Sequence, residues 1–116
     1  MLEIQTKTAE PEVIILEITG RLTMGRDCKQ LEWSTENLMR ENRKKIVFDL
    51  SGVTHIDSTG IGIIVMSAGQ IKQAGGQLHV CANGQVEKVL KLTNVDKVIN
   101  LHPTLASAAD FSMQPG

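Results

Sequence analysis

The middle of the chain constrains its fold more than any other part, because a strand pattern there changes into a helix pattern. Residues 46–50 form a short run of branched and aromatic side chains, which is typical of a strand covered on both faces. We expect Ser51 and Gly52 to break that strand. Asp57 or Ser58 can then be the N-cap of a helix, because a side-chain oxygen accepts hydrogen bonds from the unpaired amides of the first turn. The segment therefore predicts a buried strand that leads through a polar loop into a helix.

The first two turns of this predicted helix contain two glycines, Gly60 and Gly62. Each glycine in a helix interior costs about 1 kcal/mol of stability relative to alanine. Both glycines lie close to the carboxylate of Asp57 and the hydroxyl of Ser58 in the sequence. A chain that departs twice from local helix preferences beside such groups indicates a functional site.

The same helix has two apolar stripes instead of one. At about 100° per residue, the side that we assign to the core collects Ile61, Ile64, Val65, Ala68 and Ile71. The opposite side collects Thr59, Ile63, Met66 and Gln70. We therefore expect Ile63 and Met66 to be at least partly exposed, which on a small domain suggests a surface for a partner protein. The alternative is that a neighbouring loop or helix covers them.

The run FDLSGVTHIDSTGIG, residues 48–62, resembles the signature of the STAS domain, and in particular that of the bacterial anti-sigma factor antagonists. Gly75, Gly76, Gln77 and Leu78, which follow the helix, also fit the family pattern, so that the resemblance covers most of the chain. It implies a β–α superhelical arrangement of strands and helices. It also implies a regulatory module that is not an enzyme.

The resemblance further implies a phosphorylation site. In this family the serine directly after the aspartate is phosphorylated by a partner anti-sigma factor that is also a serine kinase, and by the match this serine is Ser58. The unphosphorylated form is expected to bind the anti-sigma factor and free a sigma factor, with a serine phosphatase as a further partner. The residues expected to bind the partner are Asp57, Thr59, Gly60, Gly62, Ile63 and Met66. Among these, the aspartate would rigidify the loop and the glycines would let a partner approach the backbone.

A phosphate on Ser58 is physically compatible with the start of a helix. It would lie at the positive end of the helix dipole and near unpaired amides, so the modified chain need not unfold. It would add about −1.5 to −2 charges beside Asp57, Ile63 and Met66, and partner binding would then require desolvation of a dianion. The alternative is that Asp57, Ser58 and Thr59 only cap a helix.

Catalytic and cofactor-binding interpretations have little support in these residues. A carboxylate of low pKa is a poor general base, so Asp57 beside Ser58 does not form a nucleophile–base pair. The segment Gly60-Ile61-Gly62 is faintly similar to a dinucleotide-binding loop, but Val65 stands where the third glycine belongs. We expect no catalytic residue and no cofactor. Two other readings stay open: a small anion or nucleotide bound at the same helix N-terminus, and a STAS subunit of a transporter or stress-sensing assembly.

Charge and targeting signals limit the partners and the compartment. A net charge of −1 gives no electrostatic reason to expect direct nucleic-acid binding. No signal peptide and no run of membrane-spanning length is present, so we expect a cytoplasmic protein without membrane contact. Cys28 and Cys81 are then reduced thiols and small core residues. His55, His79 and His102 are too widely spaced for a local zinc motif, and we predict no metal site, although their convergence in space stays open.

The first helix of the chain is expected to be capped by Asp27 and to end at Arg43, Lys44 and Lys45. Its inner face is expected to collect Cys28, Leu31, Thr35, Leu38 and Met39. Trp33 lies off that stripe. It either packs against a neighbouring element or contacts a partner.

The remaining patterns complete the predicted fold. Further strands are expected at residues 2–6, 13–18, 77–82 and 98–101, with a turn at residues 9–12 that predicts a hairpin. Gly75 and Gly76 should stop the central helix, and two further helices are expected at residues 85–92 and from 103 to about 111. We predict one α/β domain over residues 1–116, with residues 113–116 a frayed tail. Its mostly parallel, curved sheet has four to five strands, an amino-terminal hairpin and helices mainly on one face.

Overall fold

The computed structural model describes residues 2–9 and 12–113, the last three of them by their backbone alone. The strands and α-helices in these ranges are β1 (Glu3–Ala9), β2 (Val13–Leu22), α1 (Arg26–Arg40), β3 (Lys45–Ile56), α2 (Ser58–Gln73), β4 (Gln77–Cys81), α3 (Gly84–Leu92), β5 (Asn100–His102) and α4 (Leu105–Met113). A 3-10 turn, Val95–Lys97, stands between α3 and β5.

The strands form one sheet in the order in which they occur along the chain, β1-β2-β3-β4-β5. β1 runs antiparallel to β2, which confirms the predicted hairpin, whereas β2, β3, β4 and β5 are parallel. Each parallel connection contains a helix and leads to the neighbouring strand, so the chain winds across the sheet in one direction. The predicted fold class, an α/β domain with a mostly parallel sheet, is confirmed.

Helices α1, α2 and α3 cover one face of the sheet. The large core on that face includes Leu31 of α1, Ile64 of α2 and Phe48 of β3, all 0% exposed. α4 covers the opposite face, where a smaller cluster joins Ala108 to Val47 and to residues of β2 and β4. The two clusters follow from strand geometry, because successive residues such as Val47 and Phe48 point to opposite faces. The helices therefore lie mainly on one face, as predicted.

The expected break at Ser51 and Gly52 is wrong, because β3 continues through both residues. Gly52 pairs with Thr19 of β2, after an irregularity in the register between Glu17 and Thr19. A Cβ atom at residue 52 would collide with the Thr19 side chain, so glycine here lets two strands approach closely. Pairing along β2 outweighs the weak strand preference of glycine, and both strands reach the edge where α1 and α2 begin.

The expected cap of α1 is also wrong. The N-cap is Gly25, which has a φ of 115° and no side chain to accept a hydrogen bond, whereas Asp27 lies inside the first turn. The helix ends at Arg40, so the basic residues 43–45 follow the helix instead of forming its last turn. The expected inner face is confirmed, with Met39 only half-buried.

Helices α1 and α2 end in the same way. Asn42 and Gly75 have left-handed backbones, with φ values of 60° and 85°. The amide after each of them donates a hydrogen bond to a carbonyl of the last turn, at 3.0 Å in α1 and 2.8 Å in α2. This is the bonding pattern in which a residue of positive φ closes a helix. The predicted stop at Gly75 and Gly76 is confirmed, and asparagine has the corresponding role in α1.

The carboxyl-terminal third contains an element that the sequence did not predict, the 3-10 turn Val95–Lys97. Because of this turn, the last strand is Asn100–His102, whereas the sequence predicted residues 98–101. Val98, which was expected in the strand, lies outside it and is 64% exposed. α4 extends to Met113, past its expected end near residue 111 and into the expected frayed tail. Residues 114–116 of that tail, and residues 10 and 11 of the expected hairpin turn, lie outside the described residues.

Candidate functional site

The site predicted around Ser58 lies where β3 ends and α2 begins. Asp57 is the N-cap of α2, with an extended backbone (φ −115°, ψ −176°), and its Oδ1 accepts a hydrogen bond from the Gly60 N–H at 2.9 Å. In this geometry a carboxylate supplies an acceptor to an amide that has no partner in the helix. Asp57 is therefore the capping residue, and Ser58, the other candidate, is the first residue of α2.

The second carboxylate oxygen of Asp57 contacts the loop between β2 and α1. Oδ2 accepts a hydrogen bond from the Met24 N–H at 2.9 Å, and the Asp57 N–H donates to the Leu22 carbonyl at 3.4 Å. The amides of Gly60 and then Met24 hold the pKa of Asp57 below its ordinary value of 3.8. The carboxylate of Asp57 thus joins the start of α2 to the loop between β2 and α1. No sequence signal identified Met24, which precedes Asp57 by 33 residues.

Ser58 is exposed to solvent, and Thr59 is half-buried. Within residues 2–9 and 12–113 the Ser58 hydroxyl makes no hydrogen bond. Because Asp57 supplies the cap, the hydroxyl of Ser58 is not required to hold the start of α2. The predicted modification site therefore presents an accessible oxygen beside a fixed backbone.

The two glycines in the first turns of α2, Gly60 and Gly62, have different surroundings. Gly60 is buried, and a Cβ atom there would collide with the backbone carbonyl of Leu22. Its missing side chain therefore serves the packing of this domain and not, as the sequence suggested, the approach of a partner. Gly62 is exposed and has open space around it, so of these two glycines it is the one that leaves backbone accessible from outside.

The outer stripe of α2 divides into an exposed and a half-buried part. Met66 is 50% exposed, whereas Ile63 is half-buried and packs against the large core. The expectation that both are at least partly exposed is confirmed. Ser67, which belongs to neither predicted stripe, is 2% exposed, and its hydroxyl lies 3.4 Å from that of Thr35 in α1. α1 therefore covers this flank of α2.

The cysteines are small buried residues, as predicted. The Cys28 Sγ donates to the Thr23 carbonyl at 3.1 Å, and its pKa is raised by burial and then by the charge of Asp57. Burial, together with the neighbouring Asp49, raises the pKa of Cys81 to about 11. Raised pKa values suppress the thiolate form, so neither thiol is activated as a nucleophile.

No group of three or more histidine, cysteine, aspartate or glutamate side chains in residues 2–9 and 12–113 could hold a metal ion. His79 and His102 do converge, because Nδ1 of His79 lies 3.0 Å from Nε2 of His102. This pair is on the face of the sheet that α4 covers, and not at the Ser58 site. No helix of the described chain combines the length and apolarity needed to cross a bilayer.

Comparison with known proteins assigns this architecture to a family. The family model for the STAS domain matches residues 4–108. A Thermotoga maritima protein assigned as an anti-sigma factor antagonist is 31% identical over 100 residues, which are 85% of this chain and 88% of that protein.

Two solved structures share the fold. An anti-sigma factor antagonist from Mycobacterium paratuberculosis aligns with a TM-score of 0.86 at 22% identity, covering 98% of this chain and 96% of that chain. The Bacillus cell fate determinant SpoIIAA in its phosphorylated form aligns with a TM-score of 0.71 at 14% identity, covering 94% and 98%. With the family match over residues 4–108 and the relative from Thermotoga maritima, the chain belongs to the STAS domain family, among the anti-sigma factor antagonists.

Proposed function

We propose that the unphosphorylated chain binds an anti-sigma factor that is also a serine kinase, and that this binding releases a sigma factor. Phosphorylation of Ser58 by the same partner ends the binding, and a serine phosphatase restores it. The chain itself catalyses no reaction and acts in the cytoplasm. The class of partner is supported by the relatives named as anti-sigma factor antagonists. The phosphorylation is supported by a structural neighbour whose name describes a phosphorylated form.

The observation that carries the proposal is the division of tasks between Asp57 and Ser58. Asp57 holds the amides of Gly60 and Met24, whereas the Ser58 hydroxyl is exposed and makes no hydrogen bond within the described chain. A kinase can therefore reach the serine oxygen without opening the fold. A phosphoryl group on that oxygen leaves both amide contacts of Asp57 in place.

The chemistry of the transfer belongs to the partner. The Ser58 oxygen forms a bond to the terminal phosphorus of ATP held by the kinase, the bond from that phosphorus to ADP breaks, and the hydroxyl proton goes to a base of the kinase. Asp57 is unsuited to be that base, because two backbone amides stabilise its charged form and lower its pKa.

A phosphate on Ser58 acts on binding through charge. It adds about −1.5 to −2 charges directly beside the charged Asp57. A partner that covers this surface must desolvate the dianion, and a penalty of about 3 kcal/mol lowers its affinity more than a hundredfold. The switch needs no large rearrangement of the domain.

The geometry favours this function over a small anion held at the same helix N-terminus. A free anion would need the unpaired amides of the first turn of α2. The carboxylate of Asp57 already accepts from the Gly60 amide, and its negative charge disfavours a free anion beside it. Among the described residues, no feature specifically favours the third possibility, a subunit of a transporter or stress-sensing assembly.

The test mixes the chain and ATP with each purified anti-sigma factor of the source organism in turn. One phosphoryl group should be added and should map to Ser58, and Thr59→Ala, the matched control, should be modified equally. Ser58→Ala should bind like the unphosphorylated chain. The phosphorylated chain should bind about a hundredfold more weakly, and Ser58→Glu about tenfold more weakly, because one carboxylate imitates only part of the charge.

Two results would contradict the proposal. A phosphoryl group on Thr59 would show that the site was transferred wrongly from the family. Equal partner affinities for the phosphorylated chain and for Ser58→Ala would leave Ser58 as an ordinary residue of the first helical turn. Thermal unfolding of each variant, measured in parallel, separates a loss of binding from a loss of folding.

A further inference from the structure

We infer that a second surface, on the first half of α1, binds an acidic segment of the same partner protein. This surface, the α1 patch, consists of Met24, Arg26, Lys29 and Trp33, all of them exposed. The inference rests on the proposed function, because it adds a contact surface for the partner that binds the chain and phosphorylates Ser58. It assigns a role to Trp33, whose position in the sequence allowed either internal packing or a partner contact.

The apolar part of the α1 patch has no role inside the domain. Met24 and Trp33 are 76% and 61% exposed, and belong to the few large apolar side chains so exposed in the described chain. The buried stripe of α1 consists of Cys28, Leu31, Thr35 and Leu38. At about 100° per residue Trp33 points away from all four of these residues. An exposed indole on a helix that is already anchored is a candidate binding anchor, since tryptophan is enriched among interface hot spots.

The charged part of the α1 patch, Arg26 and Lys29, forms no salt bridge within the described residues. Arg26 and Lys29 lie in the first turn of α1, at the positive end of the helix dipole, where cations are unfavourable, and Asp27 in the same turn offsets only part of this effect. Glu32 and Glu36 line the same surface as Trp33, but within the described residues no salt bridge joins either to these cations. Both cations therefore remain available to the carboxylates of a partner protein.

The chemistry of the α1 patch selects the kind of segment that fits it. Carboxylates of a partner can pair with Arg26 and Lys29 and at the same time relieve the repulsion between these cations and the helix dipole. An apolar or aromatic side chain of the same segment can cover Trp33. The patch thus fits an acidic segment that contains at least one large apolar residue, and opposite charges also speed association.

Met24 connects the α1 patch to the Ser58 site. Its N–H is held by Oδ2 of Asp57, and the Cys28 thiol of α1 fixes the preceding residue, Thr23, through its carbonyl. The loop that carries Met24 is therefore tied both to the start of α2 and to α1. A single partner that covers Ser58 can continue across Met24 onto α1 without any movement of the domain.

The experiment measures the affinity of the purified anti-sigma factor for variants of the α1 patch by calorimetry at two salt concentrations. Trp33→Ser should bind about tenfold more weakly. The double variant Arg26→Glu/Lys29→Glu should also bind more weakly and should lose much of the salt dependence of the wild-type chain. The matched controls are Leu92→Ser and Lys88→Glu on α3, which replace an exposed leucine and an exposed lysine and should leave the affinity unchanged.

The outcomes separate this inference from the proposed function. If phosphorylation of Ser58 weakens binding but the α1 variants bind like the wild-type chain, the α1 patch is not an interface and only this inference fails. If no anti-sigma factor binds the wild-type chain, both fail. If Trp33→Ser changes the oligomeric state of the chain alone and leaves the partner affinity unchanged, the surface joins copies of this chain, and the inference is overturned.

Discussion

Gly60 and Gly62 lie two positions apart in α2, and the side chain that each lacks has a different consequence. At Gly60 the backbone packs against the carbonyl of Leu22, so the glycine joins the start of α2 to the end of β2. At Gly62 nothing lies within contact distance of a Cβ atom. One glycine is therefore required by packing, and the other carries only the entropic cost that glycine has in a helix.

We predict opposite stability changes for the two alanine variants. Gly60→Ala should lower the free energy of unfolding by about 1–3 kcal/mol, because the added methyl group forces α2 away from Leu22. Gly62→Ala should raise it by about 0.5–1 kcal/mol, because alanine loses less backbone entropy and meets no neighbour. Urea unfolding of the two variants and the wild-type chain checks both values.

Binding measurements on the same variants reveal why Gly62 is present. If a partner approaches the backbone at this position, Gly62→Ala should bind the anti-sigma factor more weakly although it is more stable. Gly69→Ala is the control, because Gly69 is also exposed, with open space around it, in the same helix. Equal affinities for Gly62→Ala and Gly69→Ala would exclude a close approach at residue 62.

At the scale of a whole element, α2 combines three kinds of surface. One flank contains Ile64 and Ile71, both 0% exposed, and holds the helix on the sheet. A second flank meets α1 through Ser67, whose hydroxyl lies near that of Thr35. The third surface faces solvent and contains Met66 in its middle. Packing against α1 thus accompanies the burial of Ser67, whereas Met66, one position earlier, stays exposed.

Aspartate substitutions on the outer stripe of α2 should separate binding from stability. Met66→Asp should weaken partner binding and leave the thermal midpoint nearly unchanged, because the side chain is half exposed and points outward. Ile63→Asp should lower the free energy of unfolding by about 1–3 kcal/mol, since Ile63 packs against the large core. Gln70→Asp, exposed on the same side of α2, is the control. A large drop in the midpoint for Met66→Asp would show that this residue belongs to the core.

For the whole molecule, the face of the sheet under α4 differs from the large core. Its apolar cluster is small, and beside it His79 and His102 form a buried pair with Nδ1 and Nε2 3.0 Å apart. The other ring nitrogens lie near Gln77 and Ser107, so the pair joins β4 to α4 through β5. Burial lowers the pKa of both imidazoles, and the neighbouring ring lowers that of His79 further.

We predict that the domain loses stability as the pH falls below about 6.5, the ordinary pKa of histidine. The folded chain has lowered pKa values at His79 and His102, so the unfolded chain binds more protons in that range. The stability that the two neutral histidines contribute is therefore fully present above the ordinary pKa. It is lost as the pH falls toward the lower pKa values that His79 and His102 have in the folded chain.

Urea unfolding between pH 7.5 and 5.5 measures this effect on the complete chain. The variant His79→Gln/His102→Gln should unfold more easily at neutral pH but should show a weaker dependence on pH than the wild-type chain. His55→Gln replaces an exposed histidine and should retain the wild-type dependence. A wild-type stability that does not change over this range would contradict the prediction.

Much of the fold could be read from local patterns. The apolar run at residues 46–50, a cap at Asp57 or Ser58 and the stop at Gly75 each depend on residues close together in the chain. Backbone preferences and helix capping act over a few residues, so a single sequence contains enough information to predict them. The position of Ser58 at the start of a helix belongs to the same class of local result.

What only the tertiary structure decided involves pairs of residues that are distant in sequence. The passage of β3 through Gly52 depends on its pairing with Thr19, and the second contact of the Asp57 carboxylate depends on the amide of Met24. The burial of Gly60 against the carbonyl of Leu22 is of the same kind. Strand register and close packing create these contacts, and no periodicity within a single element encodes them. The sequence by itself therefore determined where the site lies along the chain, and the packing of β2 and α1 against it decided which groups are held and which stay exposed.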